Sequence, residues 1–167
     1  MNITLIGMPG VGKSIVGKEL ARKLAFTFLD TDVIIEKNAH LPLHQIIDIY
    51  GESVFLEMEQ KAVLDLGEVD NHVICPGGSV IYSPEAMAFL QQHSVIIFLD
   101  ASLSGIEGRI GNLSARGVVG AKEKRLKTIY KERIPFYHKY AARVITMPDN
   151  FDVDQTVGAI IDALSRN

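Results

Sequence analysis

Residues 7–14 read Gly-Met-Pro-Gly-Val-Gly-Lys-Ser and follow directly on the apolar run NITLI at residues 2–6. Gly7, Gly12, Lys13 and Ser14 fit the pattern G-x-x-x-x-G-K-[S/T]. With glycine at about 7% of an average chain, a chance match in a sequence this long is on the order of 1% or less. The context narrows it further, because the motif requires a strand before it and a helix after it. Glycines let successive amides turn inward, so the backbone of Gly10, Val11, Gly12, Lys13, Ser14 and Ile15 is read as a cradle for polyphosphate. The helix opening near Lys13 adds its free N–H groups and the positive end of its dipole. Lys13 is expected on the β- and γ-phosphates of a nucleoside triphosphate, and the Ser14 hydroxyl on Mg2+. The plain alternative is a strand-to-helix turn that holds nothing.

Outward from this turn, short apolar runs alternate with amphipathic segments. ITLI (3–6), FTFLD (26–30), HVIC (72–75), SVIIFLD (94–100) and RVIT (143–146) read as five strands. Between them, Val16, Leu20, Ala21 and Leu24 mark one helical face, and Phe55, Met58, Glu59, Ala62, Val63 and Leu66 another. Further helices are expected from about Asp32, through PLHQIIDIYG, after Ser83-Pro84, from about Ser102, up to about Tyr140, and over VDQTVGAIIDALSR. Strands separated by helices imply an α/β fold in three layers, a five-stranded parallel sheet covered on both faces. No repeat or linker divides it, so a single domain over residues 1–167 is expected.

Composition narrows the function classes. The net charge is only −3 and no basic run stands out, which gives nucleic acid no electrostatic foothold. No apolar stretch approaches the roughly 20 residues of a membrane span, and no basic segment precedes ITLIG as in a signal peptide. Cys75 is the only cysteine, read as a small apolar residue of a buried strand. A cytoplasmic protein is expected, a monomer in preference to an oligomer.

Arg133 carries a signal of its own. Leu126, Ile129, Tyr130, Arg133 and Tyr137 fall on one helical stripe, so a guanidinium faces inward and needs an anion. That anion is either a ligand or an inner Asp or Glu. Pro135 is expected to interrupt this helix.

Several landmarks together resemble the shikimate kinases: GMPGVGKS, FLDTD (28–32), GESVFLEME (51–59), PGGSV (76–80), Arg109, Arg116 and ERIPFY (132–137). The resemblance implies a P-loop kinase fold with strand order 2-3-1-4-5, and transfer of the γ-phosphoryl group of MgATP to a hydroxyl of shikimate. It implies that Asp30 helps hold the Mg2+ shell and that Asp32 receives substrate hydroxyls and orients or deprotonates the attacking one. Either aspartate could instead cap the following helix. Gly77 and Gly78 would let the substrate ring come close, unless they form a plain turn. Arg133 would bind the substrate carboxylate in a two-pronged pair. Arg109 would lie near the adenine and Arg116 on the phosphates, with the glycine-rich stretch at about 105–120 as a lid or as a surface loop. The expected catalytic set is Lys13, Asp32 and Arg116.

The chain departs from the family pattern at three places. Pro76 stands for the first of three glycines. Gly117-Val118-Val119 stands for Pro-Leu-Leu, which implies a looser hinge under Arg116. Leu56 stands where the family has a second carboxylate-binding arginine, and is expected to make that wall of the acceptor pocket apolar. The alternatives are therefore a kinase for a different polyol or hydroxy acid, or an ATP-binding regulator without catalysis.

Overall fold

The computed structural model of the chain describes residues 1–111 and 114–166. Five strands form one parallel sheet: β1 (Ile3–Ile6), β2 (Thr27–Asp30), β3 (His72–Cys75), β4 (Val95–Asp100) and β5 (Arg143–Thr146), in the order β2-β3-β1-β4-β5. Every residue of β1 is buried, so the central strand is covered on both faces. That is why it carries no polar alternation. The edge strand β5 buries only Ile145.

Among the described residues, eight α-helices link and cover the strands: α1 (Lys13–Leu24), α2 (Thr31–Ala39), α3 (Leu43–Tyr50), α4 (Glu52–Leu64), α5 (Pro84–His93), α6 (Leu103–Ile110), α7 (Leu126–Tyr140) and α8 (Val153–Ser165). Helix α1 packs on β2, β3 and α8, while α5 and α7 pack on β4. The Ser83 side chain accepts from the Ala86 amide at 3.1 Å, so this serine opens α5 as a cap with Pro84 in its first turn. Cys75 is a buried wall of the sheet, its Sγ donating to the Lys13 carbonyl at 3.4 Å.

Two local expectations give way to packing. Helix α7 continues through Pro135 to Tyr140. An interior proline costs roughly 3 kcal/mol, and here the burial of Ile129, Arg133 and Tyr137 on one stripe holds the axis across it. The Tyr137 hydroxyl adds a 2.7 Å bond to the Gly78 carbonyl. Of the segment 105–120, residues up to Ile110 belong to α6, and residues 112–113 lie outside the described ones, as does Asn167.

Candidate active site

The carboxyl ends of β1, β2 and β3 open into a cleft of about 810 Å³, where α/β sheets bind ligands. Every residue expected at the site lines this cleft except Leu56, described below, and Val11, which is fully buried beneath it. The Val11 amide turns back onto the Met8 carbonyl at 3.2 Å instead of facing a ligand.

Gly12 stands at φ +105° as the residue before α1, a conformation that L side chains rarely adopt. With no side-chain cap there, the amides of Lys13, Ser14 and Ile15 are the unpaired start of the helix. The Lys13 ammonium donates to the Gly7 and Met8 carbonyls at 2.8 and 3.1 Å. Burial pulls its pKa down, opposed chiefly by the negative charge of Asp32.

Helix α2 begins where β2 ends, so both aspartates of FLDTD sit at the cleft floor. Asp30 caps α2, its Oδ1 accepting from the Asp32 amide at 3.0 Å, and its Oδ2 accepts from the Ser14 hydroxyl at 2.8 Å. The cap and the contact with Ser14 coexist. Asp32 Oδ1 is buried and has no hydrogen-bond partner among the described residues. Burial, reinforced by the Asp30 carboxylate and opposed by Lys13, pushes the Asp32 carboxyl up to about 6.

The far wall comes from α4, α7 and the turn after β3. Arg133 is 1% exposed. Its Nη2 donates to the Val119 carbonyl at 2.9 Å, and its Nε has no partner among the described residues. No ion pair within 4 Å joins it to a carboxylate among those residues. Glu59 faces Arg133 from the same wall without closing to an ion pair. Gly77 and Gly78 leave room here: a Cβ on Gly78 would stand 3.0 Å from Arg133 Nη1. A Cβ on Gly77 would collide with Glu59 Oε1 and stand 2.7 Å from Asp32 Oδ1.

Three arrangements differ from the sequence reading. Leu56 does not line the cleft; it lines a neighbouring cavity of about 430 Å³ with Tyr82, Val119, Ile129 and Phe136. The reason is helical geometry. Phe55 and Glu59, one turn apart, face the cleft, and Leu56 points about 100° around α4 from Phe55. Secondly, Gly117 is closely packed. At φ +69° it is packed where a Cβ would stand 2.6 Å from Leu43 Cβ and 2.8 Å from the His44 nitrogen. Val119 is held by Arg133, and the Gly120 amide donates to Glu52 at 2.7 Å. Thirdly, Phe151 joins the cleft beside the phosphate turn, its ring 2.9 Å from where a Gly12 Cβ would be and 4.9 Å from the Arg109 guanidinium carbon. Arg116 donates to the Arg109 carbonyl at 3.2 Å, which places both arginines at one mouth of the cleft.

Glu59 is the residue the sequence reading passed over. Its periodicity was that of a core position, and it is indeed 1% exposed. A carboxylate on an apolar stripe was the available signal, of the same kind that singled out Arg133.

Comparison with known proteins agrees with this fold. A shikimate kinase family model matches residues 9–165. A shikimate kinase of Caldanaerobacter subterraneus is 37% identical over 150 residues, covering 89% of this chain and 87% of that protein. One of Thermoanaerobacter pseudethanolicus is 34% identical over 167 residues, covering 99% and 96%. Among solved structures, shikimate kinase from Acinetobacter baumannii in complex with shikimate superposes with a TM-score of 0.88 at 26% identity, covering 98% of this chain and 92% of that one. Shikimate kinase from Aquifex aeolicus gives a TM-score of 0.85 at 29% identity, covering 98% and 96%.

Proposed function

The chain belongs to the shikimate kinase family, and from that premise we propose that it transfers the γ-phosphoryl group of ATP to a ring hydroxyl of shikimate. The observation that carries the acceptor assignment is Arg133, a buried guanidinium with an unpartnered Nε in a cleft that also holds the unpartnered Asp32 Oδ1. A small molecule with a carboxylate at one end and a hydroxyl at the other satisfies both.

In this reading the phosphate turn seats the triphosphate on the amides that open α1, and Lys13 moves from its carbonyl partners to the β- and γ-phosphates. The fork of Arg133 takes the acceptor carboxylate in charge-assisted hydrogen bonds. Asp32, ionised near neutral pH, accepts a hydrogen bond from the acceptor hydroxyl and aims its oxygen at the γ-phosphorus. As the new O–P bond forms and the bond to ADP breaks, the hydroxyl proton passes to Asp32. Arg116 spreads the charge on the transferring group, and the segment around it excludes water. Catalysis is thus positioning and charge stabilisation.

Ser14 and Asp30 fit Mg2+. Their oxygens are adjacent hard donors at the foot of the phosphate turn. Among the described residues no group of three His, Cys, Asp or Glu gathers as an all-protein cage. One or two protein oxygens suffice where substrate phosphates supply other ligands. Bound there, the ion would neutralise charge between the β- and γ-phosphates.

The test is turnover by the purified protein with ATP and Mg2+, read as ADP release, on shikimate, quinate, gluconate and homoserine. Shikimate is expected to give the highest kcat/KM. Turnover of another compound without shikimate overturns the acceptor, and no turnover with retained ATP binding favours the non-catalytic regulator.

A further inference from the structure

Glu59 sits deep in the cleft wall with an unusual set of neighbours. Its Oε2 accepts from the Ser79 hydroxyl at 2.7 Å, and its Oε1 has no hydrogen-bond partner among the described residues. Asp32 Oδ1 is in the same condition. Both oxygens crowd the spot where a Cβ of Gly77 would stand, and it is the missing side chain of Gly77 that lets the two carboxyl groups come this near to each other.

The charged groups facing Glu59 are Asp32 from α2, Lys13 from α1 and Arg133 from α7, with the Tyr137 hydroxyl also on α7. Neither cation forms an ion pair with it. Arg133 donates to the Val119 carbonyl, and Lys13 to the carbonyls of Gly7 and Met8. Leu56, three residues before it on α4, supplies no charge. A carboxylate buried to this degree without a close cation is strongly disfavoured and takes up a proton instead. Burial and the neighbouring Asp32 push the Glu59 carboxyl up to about 8, with Ser79, Arg133 and Lys13 opposing more weakly.

A protonated carboxyl has one O–H to donate. Ser79 already donates to Oε2, so the proton belongs on Oε1, and the open lone pair across the Gly77 gap is that of Asp32. We propose that Glu59 is a positioning residue: in its acid form it donates a hydrogen bond past Gly77 to Asp32, and so fixes the carboxylate that receives the acceptor hydroxyl. This inference rests on the acceptor role given to Asp32 above. It adds that the family reaction in this chain depends on a neutral glutamic acid behind the aspartate.

The experiment compares the wild type, Glu59→Gln and Glu59→Ala in kcat/KM for shikimate from pH 6 to 10 at saturating MgATP. Free-enzyme ionisations appear in this parameter. The wild type is expected to lose activity above about pH 8, by about tenfold or more on the usual worth of a hydrogen bond to a charged group. Glu59→Gln keeps an N–H donor at every pH, so it is expected to lack that alkaline limb and to stay within about threefold of the wild type at pH 7. Glu59→Ala is expected to fall about tenfold or more at pH 7 while keeping its thermal midpoint within a few degrees. A limb that persists unchanged in Glu59→Gln, or an alanine variant as active as the wild type, overturns the proposal.

Infrared difference spectra of the free protein provide a readout without substrate. The carbonyl stretch of a protonated carboxyl is expected at pH 7, absent from Glu59→Gln and displaced in Asp32→Asn. If that band is missing or indifferent to Asp32, the proposal fails whatever the activity. If the band is present and no acceptor turns over, the kinase reading fails on its own.

Discussion

Arg133 Nη2 and the Val119 carbonyl are joined at 2.9 Å, so the buried guanidinium of the cleft wall also holds the chain shortly after Arg116. Val119 lines both the cleft and the neighbouring cavity. An acceptor carboxylate that engages Arg133 therefore arrives at a group already bonded to the partition between the two spaces.

Replacing Arg133 by Met removes this fork at nearly constant volume. Hydrogen bonds to charged groups are worth about 1.5–3 kcal/mol, so KM for shikimate is expected to rise about ten- to a hundredfold. KM for ATP should stay near the wild-type value. Steady-state kinetics with each substrate varied in turn check this, and an equal rise in both constants would place Arg133 outside the acceptor site.

Lys13→Ala is expected to lower kcat by about 10²–10³-fold, the usual scale for losing one donor to transition-state charge. Near-normal turnover would remove the phosphate turn from the mechanism.

Asp32 gives the acid side of the pH profile. Its carboxyl is raised to about 6, and in the proposed mechanism the ionised form accepts the substrate hydroxyl. Acceptor kcat/KM should therefore decline as pH falls below about 6. Asp32→Asn should remove this limb together with most of the activity, measured by initial rates in overlapping buffers.

Leu56→Arg would place a guanidinium on α4 beside Val119, three residues before Glu59. Shikimate KM is expected to fall, by up to about tenfold for one added charged hydrogen bond. The same cation would stabilise ionised Glu59, so the alkaline limb of the profile should move to lower pH in this variant. No gain in KM would show that Val119 and Tyr82 keep the new side chain out of the cleft.

Glu59 also sets a direction for stability. Its carboxyl lies at its ordinary 4.5 in the unfolded chain and at about 8 in the folded one. Between these values the native protein holds a proton that the unfolded chain has released, so this group's contribution is fully present below 4.5, is lost as pH rises to about 8, and is then constant. Thermal unfolding should show a falling midpoint across that window in the wild type and a flatter course in Glu59→Gln.

The sheet and the phosphate turn were legible because both are written locally: apolar runs of strand length, and GMPGVGKS between one of them and a helix. Arg133 was legible because a charge interrupts an apolar stripe. What escaped depends on contacts across the sequence. Phe151 meets Gly12 and Arg109 only after β5 and α8 fold back beside the phosphate turn. Leu56 was misplaced because a motif fixes sequence position but not which way around α4 the side chain points. Gly117 read as slack, yet its missing side chain is what lets it lie against Leu43 and His44. Pro135 was read by local propensity, and the buried face of α7 overrode it.

Gly17 lies one turn into α1, where a Cβ would sit 2.6 Å from Cys75 Sγ and 2.8 Å from the Phe28 ring. The helix carrying Lys13 and Ser14 is therefore seated as low on the sheet as a hydrogen atom permits. A single methyl group at that spot would jack up the rod and swing the anion-gripping end off target. Such an enzyme would be lame in turnover with every ligand-touching side chain still present, a lesion that no inventory of the cleft would reveal.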